Sequence, residues 1–182
     1  MPKVILISGK ARHGKDCFAQ AFEGKAALNG KKCLIIKYAD ILKFICMKYF
    51  YWDGEKDNNG RTLLQYVGTD LARVNNPNIW VNCVIEIVKG LKTEFDYILI
   101  PDTRFPNEIQ EWMGKEFDYI SVRVNRLNED KTPFDNGLSP EQKSHPSEIA
   151  LDEYVFDYVV NNIKLEDIVR AANDIYEEVR RM

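Results

Sequence analysis

Five short apolar runs recur along the chain, and most are followed by a longer stretch in which apolar residues stand three or four positions apart. Short runs rich in β-branched residues are typical of buried parallel strands, while the wider spacing predicts helices. The predicted strands are residues 4–7, 33–38, 97–100, 119–124 and 158–160. The predicted helices are residues 17–28, 41–50, 62–74, 79–91, 105–113 and 165–179, with Asp40 as the N-cap of the second.

Strands that alternate with helices predict an α/β fold in which a five-stranded parallel sheet is flanked by helices. In such sheets, ligands bind beyond the carboxyl ends of the strands. This rule brings residues 9–15, Asp40, Asp102 and Arg126 to one edge of the molecule. The chain has 182 residues and no internal repeat, so we expect one domain.

A glycine-rich loop follows the first predicted strand directly. Gly9, Gly14 and Lys15 have the spacing G-x-x-x-x-G-K, and a helical pattern begins after them. Strand, glycine loop, lysine and helix form the phosphate-binding arrangement called the P-loop, in which backbone N–H groups surround a phosphate and the lysine contacts the outer phosphates. Asp16 stands where Ser or Thr normally contacts Mg²⁺. It could hold the metal directly, hold it through water, or cap the helix.

A second carboxylate, Asp102, comes just after the third strand. This is the usual place for a side chain that organises Mg²⁺ beside a phosphate loop. The segment Asp-Thr-Arg-Phe-Pro-Asn-Glu also resembles a loop that enters a helix at Pro106, so a helix cap is the alternative.

Residues 125–147 are polar and contain three prolines and one glycine. A long irregular stretch inside a compact domain is usually a functional loop, and we expect a lid here. Arg126 and Lys131 begin it and are predicted to contact phosphate when the lid closes. Guanidinium groups suit phosphate oxygens, and at least two of the arginines near strand ends or loops are expected to contact ligand. These arginines are Arg61, Arg73, Arg104, Arg123 and Arg126.

Two aromatic residues and a histidine have competing interpretations. Tyr66 and Trp80 could stack on a base, but aromatic residues at helical spacing more often belong to the core. His145, in the segment His-Pro-Ser-Glu, has no nucleophile pattern beside it and is interpreted as a hinge or capping element of the lid.

Composition narrows the class of protein. A formal net charge of −3 argues against a general nucleic-acid-binding protein. No apolar run approaches the length of a membrane span, so no membrane partner is expected. The four cysteines are scattered without a C-x-x-C motif and are predicted to be reduced core residues in a cytoplasmic protein.

Several segments together resemble the phage-type deoxynucleoside monophosphate kinases, which belong to the P-loop nucleoside monophosphate kinase group. The similar segments span most of the chain and are SGKARHGKD at 8–16, YADILK at 38–43, LLQYVGTD at 63–70, NPNIWVN at 76–82, PDTRFPNE at 101–108, VRVNR at 122–126 and HPSEIALD at 145–152. The resemblance implies a P-loop kinase fold with an acceptor-binding helical insertion at about residues 40–90 and a lid at about 125–147. It also implies transfer of the γ-phosphate of ATP, with Mg²⁺, to a deoxynucleoside monophosphate, giving dNDP and ADP.

The resemblance also implies roles for individual residues. ATP would be bound by Gly9, Lys10, Ala11, Arg12, His13, Gly14, Lys15, Asp16, Cys17 and Arg126. The acceptor would be bound by Asp40, Lys43, Arg61, Gln65, Thr69, Arg73, Trp80 and Arg104. Catalysis would depend on Lys15, Asp102, Arg104 and Arg126, and Mg²⁺ on Asp16 and Asp102. A monomer or homodimer in the cytoplasm, the host cytoplasm for a phage protein, would fit this family.

Two other functions stay open at this point. Dephospho-coenzyme A kinase and phosphomevalonate kinase share the loop and lid but use another acceptor. A nucleotide-binding regulatory protein would hold ATP or GTP without an acceptor, although no guanine-binding N-K-x-D sequence occurs.

Overall fold

The computed structural model describes residues 1–182 and is built around one parallel sheet. The strands are β1 (Lys3–Ser8), β2 (Cys33–Ile35), β3 (Tyr97–Thr103), β4 (Tyr119–Arg126) and β5 (Tyr158–Asn162). Their spatial order is β2-β3-β1-β4-β5, and every neighbouring pair is parallel. The predicted five-stranded parallel sheet is therefore confirmed, with the strand that precedes the phosphate loop at its centre.

Nine α-helices and one π-helical segment connect and cover these strands. The α-helices are α1 (Lys15–Leu28), α2 (Ala39–Tyr49), α3 (Asn58–Gln65), α4 (Ala72–Asn75), α5 (Ile79–Leu91), α6 (Pro106–Gln110), α7 (Pro140–Ser144), α8 (Pro146–Ile149) and α9 (Leu165–Val179). The π-helical segment, Tyr66–Leu71, lies between α3 and α4.

The core has one layer on each face of the sheet. Successive side chains of a strand point to opposite faces, so β1 contributes to both layers. Val4 and Leu6 belong to a cluster of 18 buried residues that packs against α2 and α5. Ile5 and Ile7 belong to a cluster of 17 buried residues beneath α1 and α9. Burial on both faces fixes β1, and hence the position at which the phosphate loop begins.

The single helix predicted for residues 62–74 is wrong, because the structure divides it into α3, the π-helical segment and α4. A π-helix has i→i+5 hydrogen bonds; it is rare and is frequently found at functional sites. The indole Nε1 of Trp80 donates to the carbonyl oxygen of Gly68 at 2.9 Å inside this segment. The Gly68 carbonyl thus has a hydrogen-bond partner in α5, and the spacing of apolar residues within 62–74 cannot indicate such a contact.

Other predicted boundaries also differ from the structure. The second strand ends at Ile35 instead of residue 38, and the helix predicted for 105–113 is limited to Pro106–Gln110. Asp40 is not an N-cap, since α2 begins one residue earlier and Tyr38 precedes it. Residues 125–147 are not wholly irregular, because β4 extends to Arg126 and α7 forms at Pro140–Ser144.

All four cysteine thiols are free, but only one of them lies in the core. Cys46 is buried, Cys33 and Cys83 are half-buried, and Cys17 is exposed, so the prediction of core cysteines is wrong for Cys17. No helix combines the length and the apolar character that crossing a bilayer would require.

Candidate active site

The phosphate loop, residues 9–15, connects β1 to α1 and depends on two glycines. Gly9 has a φ of +147°, and a Cβ placed there would lie 2.3 Å from the carbonyl oxygen of Val124. Gly14 has a φ of +98°, and its Cβ would lie 2.5 Å from Cδ1 of Ile168. Residues that carry a Cβ rarely adopt these backbone conformations. The Val124 carbonyl leaves no room for a side chain at Gly9, and at Gly14 the Ile168 side chain would have to move. The two glycines of the motif are thus required by the loop's shape.

Lys15 is the buried cation of this loop. Its ammonium group donates to the carbonyl oxygens of Gly9 at 2.7 Å and Lys10 at 2.8 Å. Burial, followed by the nearby charge of Arg104, lowers the pKa of Lys15 to about 7. An anionic ligand would stabilise the charged form, so the environment of Lys15 favours binding of a phosphate.

Two cavities meet the loop from different sides. The first cavity, of about 410 Å³, is bordered by Ala11 and Lys15 of the loop. It has eight cationic side chains, namely Arg12, Lys15, Lys37, Lys43, Lys56, Arg61, Arg73 and Arg104, but only four carboxylates, namely Asp16, Asp102, Glu108 and Glu148. The second cavity, of about 520 Å³, is bordered by Lys10 and His13. The two cavities have one lining residue in common, Glu148.

Most of the residues predicted to bind an acceptor lie in the wall of the first cavity. These are Lys43, Arg61, Gln65, Thr69, Arg73, Trp80 and Arg104. Asp40 does not line the cavity; its carboxylate accepts the Lys37 amide at 3.1 Å and the Lys43 ammonium at 3.0 Å. Trp80 is only 4% exposed, which agrees with the core interpretation, while Tyr66 is exposed and outside the cavity.

Lys56 and Arg61 differ from the other cations of the first cavity because neither side chain has an ion pair or a hydrogen bond. Arg12 and Lys15 also have no ion pair, but they donate to backbone carbonyl oxygens. Lys37 pairs with Asp16, and Arg73 pairs with Glu108. Desolvation at the cavity wall and the like charge of Lys43 lower the pKa of Lys56, even though this residue keeps an exposed surface. Unpaired cations that repel one another create a place where an anionic group is favourable.

Asp102 lies in the wall of the first cavity and also caps a helix. Its carboxylate accepts the backbone N–H groups of Tyr38 at 3.0 Å and Ala39 at 2.9 Å, at the start of α2. Burial raises the pKa of Asp102, and these two hydrogen bonds oppose the rise. Asp102 does cap a helix, as the alternative interpretation predicted, but the capped helix is α2 and not the helix that begins at Pro106.

Asp16 and Asp102 are the two carboxylates predicted for Mg²⁺, and both border the first cavity. No cluster of three or more His, Cys, Asp or Glu side chains with metal-binding geometry occurs. Mg²⁺ is commonly held by one or two carboxylates together with substrate phosphates and water. Asp16 and Asp102 fit that pattern, although Asp16 is paired with the Lys37 ammonium at 2.5 Å.

Two buried carboxylates hold the arginines of the first cavity. Glu108, which is 1% exposed, binds the Arg73 guanidinium at 2.5 Å and accepts the backbone N–H of Arg104 at 2.6 Å. The Arg104 guanidinium is paired with Glu148. Burial raises the pKa of Glu108, and the Arg73 charge opposes that rise. The network fixes Arg73 and Arg104 beside the cavity, because each has a buried anchor.

Arg126 lies at the second cavity rather than the first. Its guanidinium stacks on the Phe134 ring at 4.0 Å, and its backbone N–H donates to Nδ1 of His13 at 3.2 Å. Burial and the charge of Lys15 lower the pKa of His13 to about 4, which keeps its Nδ1 free to accept this bond. Arg123 also lines the second cavity, where it pairs with Asp152.

The remaining loop residues divide between the cavities. Arg12 and Asp16 border the first cavity, Lys10 and His13 border the second, and Gly9, Gly14 and Cys17 line neither. His145 accepts the Ser147 backbone N–H at 3.2 Å through Nδ1, as expected for a capping residue.

The sequence patterns do not identify several polar residues of the first cavity, among them Lys37, Lys56, Glu108, Gln142 and Glu148. Lys37 and Lys56 are single charges in connecting segments, where solvent-exposed lysines are common. Glu148 lies within the segment 145–152 that carries part of the resemblance, but only its burial and its partners show that it belongs to the site.

No protein-family model matches this sequence, and no characterised protein matches it in sequence. Solved structures do match. The APS kinase CysC of Mycobacterium tuberculosis, in complex with AMPPNP and APS, superimposes with a TM-score of 0.53 and 10% identity over 98% of each chain. The dephospho-CoA kinase from Campylobacter jejuni gives a TM-score of 0.49 and 14% identity over 98% of this chain and 97% of that one. Together with the sheet order and the phosphate loop, the likeness to the APS kinase shows that the chain has an α/β P-loop kinase fold.

Proposed function

We propose that this protein transfers the terminal phosphate of ATP to the phosphate group of a deoxynucleoside monophosphate. The observation that carries the proposal is the pair of cavities that meet across the phosphate loop. A phosphotransferase needs two sites that share the transferred group, whereas a nucleotide-binding regulatory protein needs only one. The similarity of seven segments to phage-type deoxynucleoside monophosphate kinases supports this choice of acceptor.

The second cavity is assigned to the nucleoside part of ATP. Arg126, stacked on Phe134, offers a flat cationic surface at which a base could lie, and Asn125 and Asn161 supply polar groups. The phosphates would extend from there across the loop to Lys15, on the side of the first cavity. This assignment explains why Lys10 and His13 face one cavity and Ala11 and Lys15 face the other.

The first cavity is assigned to the acceptor. The unpaired cations Lys56 and Arg61, together with Lys43, would bind the acceptor's phosphate, and Gln65 and Thr69 could donate to or accept from its nucleoside. A monophosphate carries an ionised oxygen that can attack directly, so no general base is required. Loose phosphoryl transfer depends mainly on alignment and charge neutralisation.

Residues of both cavities would share the negative charge that spreads over the transferred group. Lys15 and Arg104 line the first cavity beside the phosphate loop and could contact the oxygens of that group, and the loop amides could donate to them. Asp16 and Asp102 would hold Mg²⁺. The metal, when bound, supplies charge neutralisation on the phosphate oxygens and helps to orient them.

The test is ATP-dependent phosphorylation of each common dNMP and NMP, followed by chromatography of the products. We expect a diphosphate from at least one dNMP and much less from the NMPs. No diphosphate from any of them, in a protein that still binds ATP, would contradict the proposal.

A kinase for another small molecule is the second candidate, and the likeness in fold to an APS kinase favours it. Asp102, a carboxylate with a raised pKa in the first cavity, could accept a proton from an acceptor hydroxyl group. A thermal-shift panel of dNMPs, dephospho-coenzyme A and phosphomevalonate separates the candidates. Stabilisation by dephospho-coenzyme A or phosphomevalonate, and not by a dNMP, would favour the alternative.

A further inference from the structure

Glu148 occupies a position that no other residue shares, since it borders both cavities. It lies on α8, and its side chain is only 6% exposed. A carboxylate between two sites for phosphorylated ligands would repel the phosphates of those ligands. The groups that bind the Glu148 carboxylate indicate what role it has.

The partners of Glu148 are groups that ordinarily bind phosphate. One carboxylate oxygen accepts the backbone N–H of Ala11, in the phosphate loop, at 3.2 Å. The other is paired with the guanidinium of Arg104, which also donates to the carbonyl oxygen of Ser147 at 3.0 Å. Loop amides and guanidinium groups are the donors that phosphate oxygens use in nucleotide sites. Glu148 therefore occupies two donors, the Ala11 amide and the Arg104 guanidinium, that could otherwise bind a phosphate.

The charge of Glu148 agrees with this geometry. Burial alone would raise the pKa of Glu148, but the Arg104 guanidinium holds it below its usual range. The carboxylate is consequently ionised near neutral pH. An ionised carboxylate and a phosphate oxygen cannot share the same amide and guanidinium without strong repulsion.

The side of the loop on which Ala11 lies identifies the phosphate concerned. Ala11 and Lys15 border the first cavity, which is assigned to the acceptor. Among the three phosphates of the donor, the terminal one must reach this side, because it is the one that is transferred. The inner phosphates would then lie toward Lys10, which borders the second cavity.

We propose that Glu148 is a positioning residue that competes with the terminal phosphate of the donor for the Ala11 amide and the Arg104 guanidinium. The inference rests on the function proposed above. Binding of the donor displaces the carboxylate, which transfers Arg104 from Glu148 to the phosphate. After transfer, the carboxylate returns to the Ala11 amide, and a diphosphate nucleotide without the terminal phosphate leaves Glu148 where it is.

The test compares a triphosphate analogue with ADP. The Kd values of AMPPNP and ADP, each with Mg²⁺, are measured by calorimetry for the wild type and for Glu148→Gln. Glutamine keeps the size of the side chain but has no charge to repel the phosphate. We expect the ratio of AMPPNP affinity to ADP affinity to rise by about five-fold or more in the variant.

Glu153→Gln is the matched control, because Glu153 is exposed, lies five residues away and lines neither cavity. Its affinity ratio should equal that of the wild type. Glu148→Asp keeps the charge and withdraws it from the loop by one methylene group, so we expect a smaller rise in the ratio. This second variant also provides a measurement if Glu148→Gln does not fold.

The outcomes are distinct. An unchanged ratio, or equal weakening of AMPPNP and ADP in both Glu148 variants, would mean that Glu148 has only a structural role and would overturn the inference. A wild-type protein that binds neither nucleotide would overturn the proposed function, and this inference with it. Binding of AMPPNP without phosphorylation of any acceptor would contradict the proposed reaction but leave the competition measurable.

Discussion

The ammonium group of Lys15 has carbonyl oxygens of its own loop as partners instead of a carboxylate. A buried cation held only by dipoles can exchange these partners for phosphate oxygens without breaking an ion pair. This environment favours a ligand-binding role over a structural one, because structural buried charges are usually paired.

Replacing Lys15 with alanine should therefore reduce phosphotransfer by at least about a hundredfold, because the transition-state charge loses a direct partner. The fold should persist, since Lys15 has no side-chain ion pair that would be broken. The comparison is kcat at saturating ATP together with the thermal unfolding midpoint. Lys32→Ala, at an exposed lysine outside both cavities, is the control. Nearly normal turnover by Lys15→Ala would contradict the role of the loop.

His13 leads to a prediction about stability and pH. Its pKa is about 4 in the folded protein and 6.5 in an ordinary histidine, because burial and then Lys15 disfavour the charged ring. Between these values the unfolded chain binds a proton that the folded chain does not. The contribution of His13 to the unfolding free energy is thus fully present above pH 6.5 and is lost as the pH falls from 6.5 to about 4.

For the wild type we expect His13 to account for about 2 kcal/mol of the loss in unfolding free energy between pH 6.5 and pH 4. His13→Asn places an amide oxygen near the position of Nδ1, so it can still accept the Arg126 amide but cannot titrate. Urea titrations at several pH values should show a shallower decline for this variant. Parallel declines for the two proteins would show that His13 is not the group responsible.

At the scale of elements, the connection between α2 and α3 is shaped by a close backbone contact. Gly60, in the first turn of α3, donates its N–H to the Asp57 side chain at 2.7 Å. A Cβ at Gly60 would lie 2.1 Å from the carbonyl oxygen of Glu55 and 2.7 Å from the Trp52 indole nitrogen. The connecting loop that bears Lys56 is packed directly on this glycine.

Gly60→Ala should lower the unfolding free energy by about 2 kcal/mol and raise the KM for the acceptor, because backbone atoms must move and carry Lys56 with them. Gly24→Ala is the matched control, since no atom lies within 4 Å of the Cβ position in this α1 residue. That substitution should stabilise the protein by about 0.5–1 kcal/mol. Denaturant unfolding and initial rates distinguish the two, and equal effects would refute the packing argument.

Elements with a strong local signal were predictable from the sequence. β1, β3 and the phosphate loop were found because uninterrupted apolar runs and fixed glycine positions are local patterns. The π-helical segment was not, because its Gly68 carbonyl is satisfied by Trp80, twelve residues away. The capping of α2 by Asp102 joins residues 64 positions apart, and the burial of Glu148 beside Ala11 joins residues 137 apart. Such pairings follow from the packed fold, and periodicity contains no information about them.

Considered as a whole molecule, the protein has a formal net charge of −3 but has twice as many cations as carboxylates around its first cavity. Positive potential is thus concentrated where an anionic substrate would enter, against an acidic background. Such focusing raises the local concentration of a charged ligand and is screened by salt.

We expect the kcat/KM for the acceptor to fall several-fold when KCl rises from about 0.05 M to about 0.5 M, because the Debye length shortens from more than 10 Å to a few ångströms. The value of kcat at saturation should change much less, since bound substrate is shielded from the salt. Steady-state kinetics at several salt concentrations test this expectation. The same dependence for Arg61→Ala as for the wild type would show that the unpaired cations of the cavity do not attract the substrate.

The π-helical segment has a consequence for how this architecture could change during evolution. One residue more or less in a helix rotates everything after it by about 100°. Deleting a single residue from Tyr66–Leu71 would allow a regular α-helix, but it would turn Arg73 away from Glu108 and shift Thr69 relative to Arg61. A gain or loss of one codon would thereby reorient the side chains of one wall of the first cavity without substituting any of them. Under the proposed function, this is a short mutational route to a different acceptor.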